Sequence, residues 1–104
     1  MDNVAAFLRY LTSEKNYSAQ TVRAYSKDID GFALHCSDAY GLHNLSKVHY
    51  PMLRDYIIVL SKRGLTMRSI NRKCSALKSL YAYFQKIGIV EVHPFAQHKA
   101  VKAK

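Results

Sequence analysis

The sequence predicts an all-α fold, a compact bundle of four main helices. Apolar residues recur at three- and four-residue spacing in four separate segments. Helix starts carry Ser, Thr or Pro, and helix ends carry Gly or Asn. No β-hairpin signal, internal repeat or low-complexity tract interrupts them. At 104 residues the chain is one domain in length, and it is expected to bury roughly 65% of its unfolded surface around a single core. A hydrophobic content of 49% suits a folded globule.

The first helix, Val4 to about Lys15, is carried by Val4, Phe7, Leu8 and Leu11 and stops near Asn16-Tyr17. Ser18 caps the second, which is expected to run to about Cys36 on a stripe of Val22, Tyr25, Ile29, Phe32, Ala33 and Cys36. Gly31 sits inside it at a cost of about 1 kcal/mol relative to Ala, which a close helix crossing would justify. Residues 37–48 break the periodicity and read as a loop. Pro51 suits the first turn of a third helix carried by Leu53, Tyr56, Ile57 and Leu60, and Lys62-Arg63-Gly64 ends it. Thr66 caps the fourth, whose stripe is Ile70, Cys74, Leu77, Tyr81 and Phe84, and Gly88 ends it. Beyond it, Ile89, Val90 and Val92 are expected to form a short extended piece packing back before Pro94. Residues 1–96 then form the domain, and 97–104, basic and with almost nothing to bury, read as a linker.

Charge is divided unevenly along the chain. Residues 1–44 hold four bases and five acids, a sum of −1, whereas residues 45–104 hold twelve bases against Asp55 and Glu91, a sum of +10. A globule with one strongly basic half is expected to bind polyanions, with DNA, RNA and anionic membrane as candidates. The fourth helix concentrates this property. Arg68, Asn71, Arg72, Ser75, Lys78 and Ser79 project away from its stripe without a single acid among them. Bases, amides and hydroxyls of this kind suit phosphates and base edges.

Other chemistries find little support. Cys36 and Cys74 fall on apolar stripes and read as small buried hydrophobes. The five histidines show neither an i, i+4 pair nor a Cys-x-x-Cys partner, so no metal site and no cofactor is expected. Tyr25, Tyr56 and Tyr81 belong to the core. Tyr10, Tyr17, Tyr40, Tyr50 and Tyr83 lack the basic constellation that a phosphoryl-transfer nucleophile needs, so no catalysis is assigned to these residues. The chain has no apolar run approaching the ~18 residues of a membrane span, and no signal peptide at Met1-Asp2-Asn3-Val4. A cytoplasmic protein without membrane association is expected.

Two runs of residues are more specific. Ser18, Thr21, Tyr25, Asp28, Ile29 and Phe32 form a spaced pattern on the second helix. Some 35 residues later comes the ungapped run Arg63 to Tyr81, which includes Arg68-Ser69-Ile70-Asn71-Arg72-Lys73 and Ser75-Ala76-Leu77-Lys78-Ser79-Leu80-Tyr81. Together they resemble the N-terminal core-binding, SAM-like domain of tyrosine recombinases of the phage-integrase and XerC/XerD type, over roughly residues 3–96. Two positions depart from the family pattern: His93 replaces the Asn of an Asn-Pro junction, and Cys74 stands where Leu is common.

The resemblance implies a DNA-binding domain that grips one side of a recombination-site duplex through its second and fourth helices. A C-terminal catalytic domain, carrying the Arg-Lys-His-Arg-His/Trp set and the tyrosine nucleophile, would close the clamp in a longer protein. Double-stranded DNA, that catalytic domain and the other protomers of a recombination tetramer are the implied partners. Residue by residue, Arg68 and Arg72 suit guanine or phosphate, since a planar guanidinium matches either. Asn71 suits adenine or a surface role, and Ser75, Lys78 and Ser79 suit phosphates. On the second helix, Gln20, Arg23 and Lys27 share one polar side with Asp30 nearby, and Lys15 and Ser18 stand where free amides can hold a phosphate. The alternative reading is a basic helical protein-interaction module, docking an acidic partner or another protomer.

Overall fold

The computed structural model describes residues 3–97. Four α-helices make up the domain: α1 (Asn3–Ser13), α2 (Ala19–Tyr40), α3 (Tyr50–Lys62) and α4 (Met67–Lys86). Short 3₁₀ turns at Leu45–Lys47 and Pro94–Gln97 complete it, and no strand occurs among the described residues. Ser18 Oγ accepts from the Thr21 amide at the start of α2, and Thr66 Oγ1 from the Ser69 amide at the start of α4, both at 3.2 Å. Each satisfies one of the amides that a helix N-terminus leaves free. Asn16 adopts the left-handed conformation (φ 55°), and Tyr17 N–H donates back to the Leu11 carbonyl, closing α1.

The core is one cluster drawn from all four helices. Phe7 and Leu11 of α1, Ile29, Phe32 and Cys36 of α2, and Leu53, Tyr56 and Leu60 of α3 surround α4. From α4 come Ile70, Cys74, Leu77, Leu80, Tyr81 and Phe84. The predicted stripes therefore do face inward. Both thiols are buried and free, and burial pushes Cys36 up to about 11 and Cys74 in the same direction. Gly31 does mark a close crossing: a Cβ there would stand 3.2 Å from the Tyr56 hydroxyl of α3.

Three expectations need correction. First, α2 runs a turn past Cys36, to Tyr40. Gly41, in the left-handed region (φ 63°), ends it by returning its N–H to the carbonyls of Cys36 and Ser37. Tyr40 donates to Asp55 Oδ2 at 2.6 Å, which anchors the extra turn to α3 and raises the phenol to about 12. Second, the predicted loop contains the turn Leu45–Lys47, capped by Asn44, with Leu45 and Val48 buried. Third, of the expected piece Val90 packs against the core, whereas Ile89 and Val92 stay exposed, and Phe95, in the 3₁₀ turn begun by Pro94, is the residue buried in it. The expected linker lies outside the described residues except for Gln97, the last residue of that turn.

Tyr81 joins core and loop. Fully buried, its hydroxyl donates to the Leu45 carbonyl at 2.8 Å, and burial raises the phenol well above its usual value. Tyr81→Phe leaves that carbonyl with only its longer bond from Val48 N–H, at 3.4 Å, and is expected to cost about 1 kcal/mol, read by chemical denaturation. His35 gives a pH dependence. Its Nε2 is buried without a partner, between the rings of Phe32, Tyr40 and Tyr56. Burial, helped by Arg63, lowers its pKa below the usual 6.5, while Asp55 and Asp38 oppose the shift. The neutral form is the one that fits, so its contribution is present above the unfolded-state value and is lost as pH falls from there through the lower folded-state value. Between pH 7 and 5 the native domain is expected to lose more stability than a His35→Gln variant does.

Candidate nucleic-acid interface

Burying one face of α4 points the opposite face outward. Residues 68, 72, 75 and 79 recur every three or four positions and so share one side of the helix. On α2 the same spacing aligns Gln20, Arg23 and Lys27, all exposed. A groove of about 320 Å³ runs between α2 and α4, and of these α2 residues Gln20 lines it. Its walls are Gln20, Thr21, Ala24, Tyr25 and Asp28 from α2, and Arg72, Ser75 and Ala76 from α4. Small residues (Ala24, Ala76) keep its floor open, and polar side chains stand along both walls.

Electrostatically the groove is organised by one buried acid. Asp28 is 4% exposed, and its Oδ1 accepts from Lys73 Nζ at 3.1 Å and Arg72 Nη2 at 3.4 Å. The two bases differ in solvation, the Lys73 side chain being 21% exposed and that of Arg72 60%. Lys73 is thus a structural counter-ion for Asp28, and Arg72 is tethered with most of its guanidinium facing water. Sequence reading had placed Asp28 in a family pattern without giving it this role. The available signal was an acid adjoining the apolar stripe, between Tyr25 and Ile29; what it pairs with lies 44 and 45 residues away.

The predicted residues divide into groups. Gln20, Arg72 and Ser75 line the groove. Arg23 and Lys27 on α2, and Arg68 and Asn71 on α4, are exposed but do not line it, and none of these three bases makes an ion pair among the described residues. Ser79 is half-buried near the Tyr25 phenol, whose pKa is raised by burial with Ser79 opposing the shift. Lys78 is not brought to the groove. Six residues beyond Arg72, it lies about 240° further around the helix. Its ammonium sits 5.7 Å from the Phe95 ring centroid, while its carbonyl is 3.0 Å from His93 Nε2. Lys15 lines a neighbouring cleft, and Ser18 caps α2.

Nothing in the resolved tyrosines suggests activation. Tyr25, Tyr40, Tyr56 and Tyr81 are all shifted upward, holding their phenols neutral. No group of three His, Cys, Asp or Glu side chains among the described residues could hold a metal ion. No described helix is long and apolar enough to cross a membrane.

Asp28→Ala is expected to destabilise the domain by about 2–3 kcal/mol in denaturant titrations. Full burial of both partners would make the loss ~3–5 kcal/mol, but Lys73 retains part of its water. Lys73→Ala should cost more stability than Arg72→Ala; the reverse order would assign the structural role to Arg72.

Residues 4–86 match the phage integrase, N-terminal SAM-like domain family. Among curated proteins, tyrosine recombinase XerC of Bacillus pumilus is 36% identical over 92 residues, covering 88% of this chain and 30% of its own length. XerC of Pediococcus pentosaceus is 38% identical over 95 residues, covering 91% of this chain and 32% of its own. XerC of Xanthomonas campestris is 32% identical over 100 residues, with 96% and 31% covered. The chain thus spans about 30% of the length of the curated relatives it matches. No solved structure matches it significantly.

Proposed function

The chain belongs to the phage integrase N-terminal SAM-like domain family, and on that ground we propose that it grips one side of a DNA duplex through α2 and α4. The observation that carries this reading is the groove between those helices. Arg72, Gln20 and Ser75 line it, and the same two helices carry the exposed bases Arg23, Lys27 and Arg68, none of them ion-paired among the described residues. A helix fits the major groove of B-DNA, and bases beside it meet the flanking phosphates. Phosphate neutralisation supplies most of the affinity, with base readout by Arg68, Arg72 and Asn71. Lys78, held against Phe95, contributes through its general charge. Strand cleavage and rejoining belong to a catalytic domain elsewhere in the parent protein, which acts on the duplex together with other protomers.

Tethering by Asp28 adds a physical element to this reading. Arg72 is partly ordered before DNA arrives, which lowers the entropy lost on binding. When it moves to a phosphate or guanine, Lys73 remains to neutralise Asp28.

If about five phosphates are neutralised, log K should fall with log salt at a slope of about −4 to −5 in a fluorescence-anisotropy titration. A salt-insensitive complex, or displacement by an acidic protein from a site that retains no duplex at ~0.15 M salt, would instead favour protein docking. Arg72→Ala is expected to weaken DNA binding by about 1–3 kcal/mol with the fold intact. Unchanged affinity would remove Arg72 from the interface.

A further inference from the structure

The outward face of α4 continues beyond Ser79. Counting on by three and four brings Ala82, Tyr83 and Lys86 to the same side as Arg68, Arg72 and Ser75. Eighteen residues separate Arg68 from Lys86, about 27 Å of helix axis. At this far end lies a second cleft, of about 210 Å³, between the C-terminal half of α4 and the turn that follows α1. It adjoins the α2–α4 groove: Tyr17 lines the cleft and its ring centroid lies 5.7 Å from that of Tyr25, which lines the groove.

Two lysines reach this cleft from elements distant in sequence, Lys15 from the turn and Lys86 from the last residue of α4. Lys86 Nζ sits 5.1 Å from the Tyr10 ring centroid, and Tyr10 packs 4.8 Å from Tyr83. A cation over an aromatic face keeps its charge while losing conformational freedom. Tyr17, held edge-on to Tyr25 at 5.7 Å, stands beside them. No carboxylate lines the cleft, and neither lysine makes an ion pair with Glu14, Glu91 or any other described acid. Two positive charges, that of Lys86 held over Tyr10 and that of Lys15 exposed, beside hydroxyl-bearing rings form a receptor for anionic oxygen.

We propose that this cleft is a second phosphate site, which holds the DNA backbone beyond the segment met by Arg68 and Arg72. Lys15 and Lys86 neutralise adjacent phosphodiesters there. The proposal rests on the DNA-binding reading above and extends its footprint along the whole outward face of α4. An unstacked base lying on the tyrosine rings is the competing occupant.

The test compares the parent with a Lys15→Gln/Lys86→Gln variant in salt titrations on a 30-base-pair duplex (the length is about that needed to exceed the footprint). The salt slope is expected to become shallower by about 2, and affinity at low salt to fall roughly tenfold. Lys15→Arg/Lys86→Arg should keep the parental slope. A Lys47→Gln/Arg54→Gln control removes the same charge from exposed positions outside both clefts and should change the slope less. An unaltered slope and affinity in the Lys15/Lys86 variant, with Arg72→Ala still impaired, would overturn the second site alone. Failure of the parent to bind DNA would overturn both readings. Lost affinity with an unchanged slope, reproduced by Tyr17→Leu, would identify base stacking and overturn the phosphate assignment.

Discussion

Seven side chains of α4, from Ile70 to Phe84, are withdrawn from water, and the other three helices are arranged to receive them. Phe7 and Leu11 approach from α1, Ile29 and Phe32 from α2, and Leu53 and Leu60 from α3. Because side chains repeat every 3.6 residues, burying this set fixes how α4 is turned about its own axis. Its opposite face then has to point outward, carrying Arg68, Arg72, Ser75 and Lys86. Placement of the basic surface is a consequence of core packing.

The Asp28 pairing refines that placement. A buried carboxylate shared by Lys73 and Arg72 is unfavourable unless α2 and α4 meet in one register, since either helix sliding would leave an acid unpaired in a poorly solvated site. The same contact introduces a negative charge into a groove whose one lining base is Arg72, and Lys73 offsets it locally. Elsewhere the buried titratable groups are held neutral, with the thiols of Cys36 and Cys74 and the phenol of Tyr81 all shifted upward by burial. In the α2–α4 groove the charge that remains both ordered and accessible is that of Arg72.

Family membership and structure constrain different things. The match over residues 4–86 and the similarity to XerC proteins identify the kind of domain this is. They leave open which side chains touch DNA. The structure separates Lys78, turned toward Phe95, from Arg72 in the groove, although the two stand close together in one basic run. It also joins Lys15 to Lys86, which no sequence spacing relates.

The sequence by itself determined the four helices, their inward stripes, the caps at Ser18 and Thr66, and the basic character of α4. All of these depend on residues within a few positions of one another, where helical periodicity and backbone hydrogen bonding act directly. The last turn of α2 escaped because Tyr40 is anchored through Asp55 of α3, a partner fifteen residues away. Phe95 escaped because a residue after a helix-breaking Pro shows its burial only when the core it enters exists. Asp28 with its two bases, the groove between α2 and α4, and the cleft shared by Lys15 and Lys86 were decided by tertiary structure alone. Each joins residues that are remote along the chain, and only the packing of α4 against α1 and α2 brings them to one site.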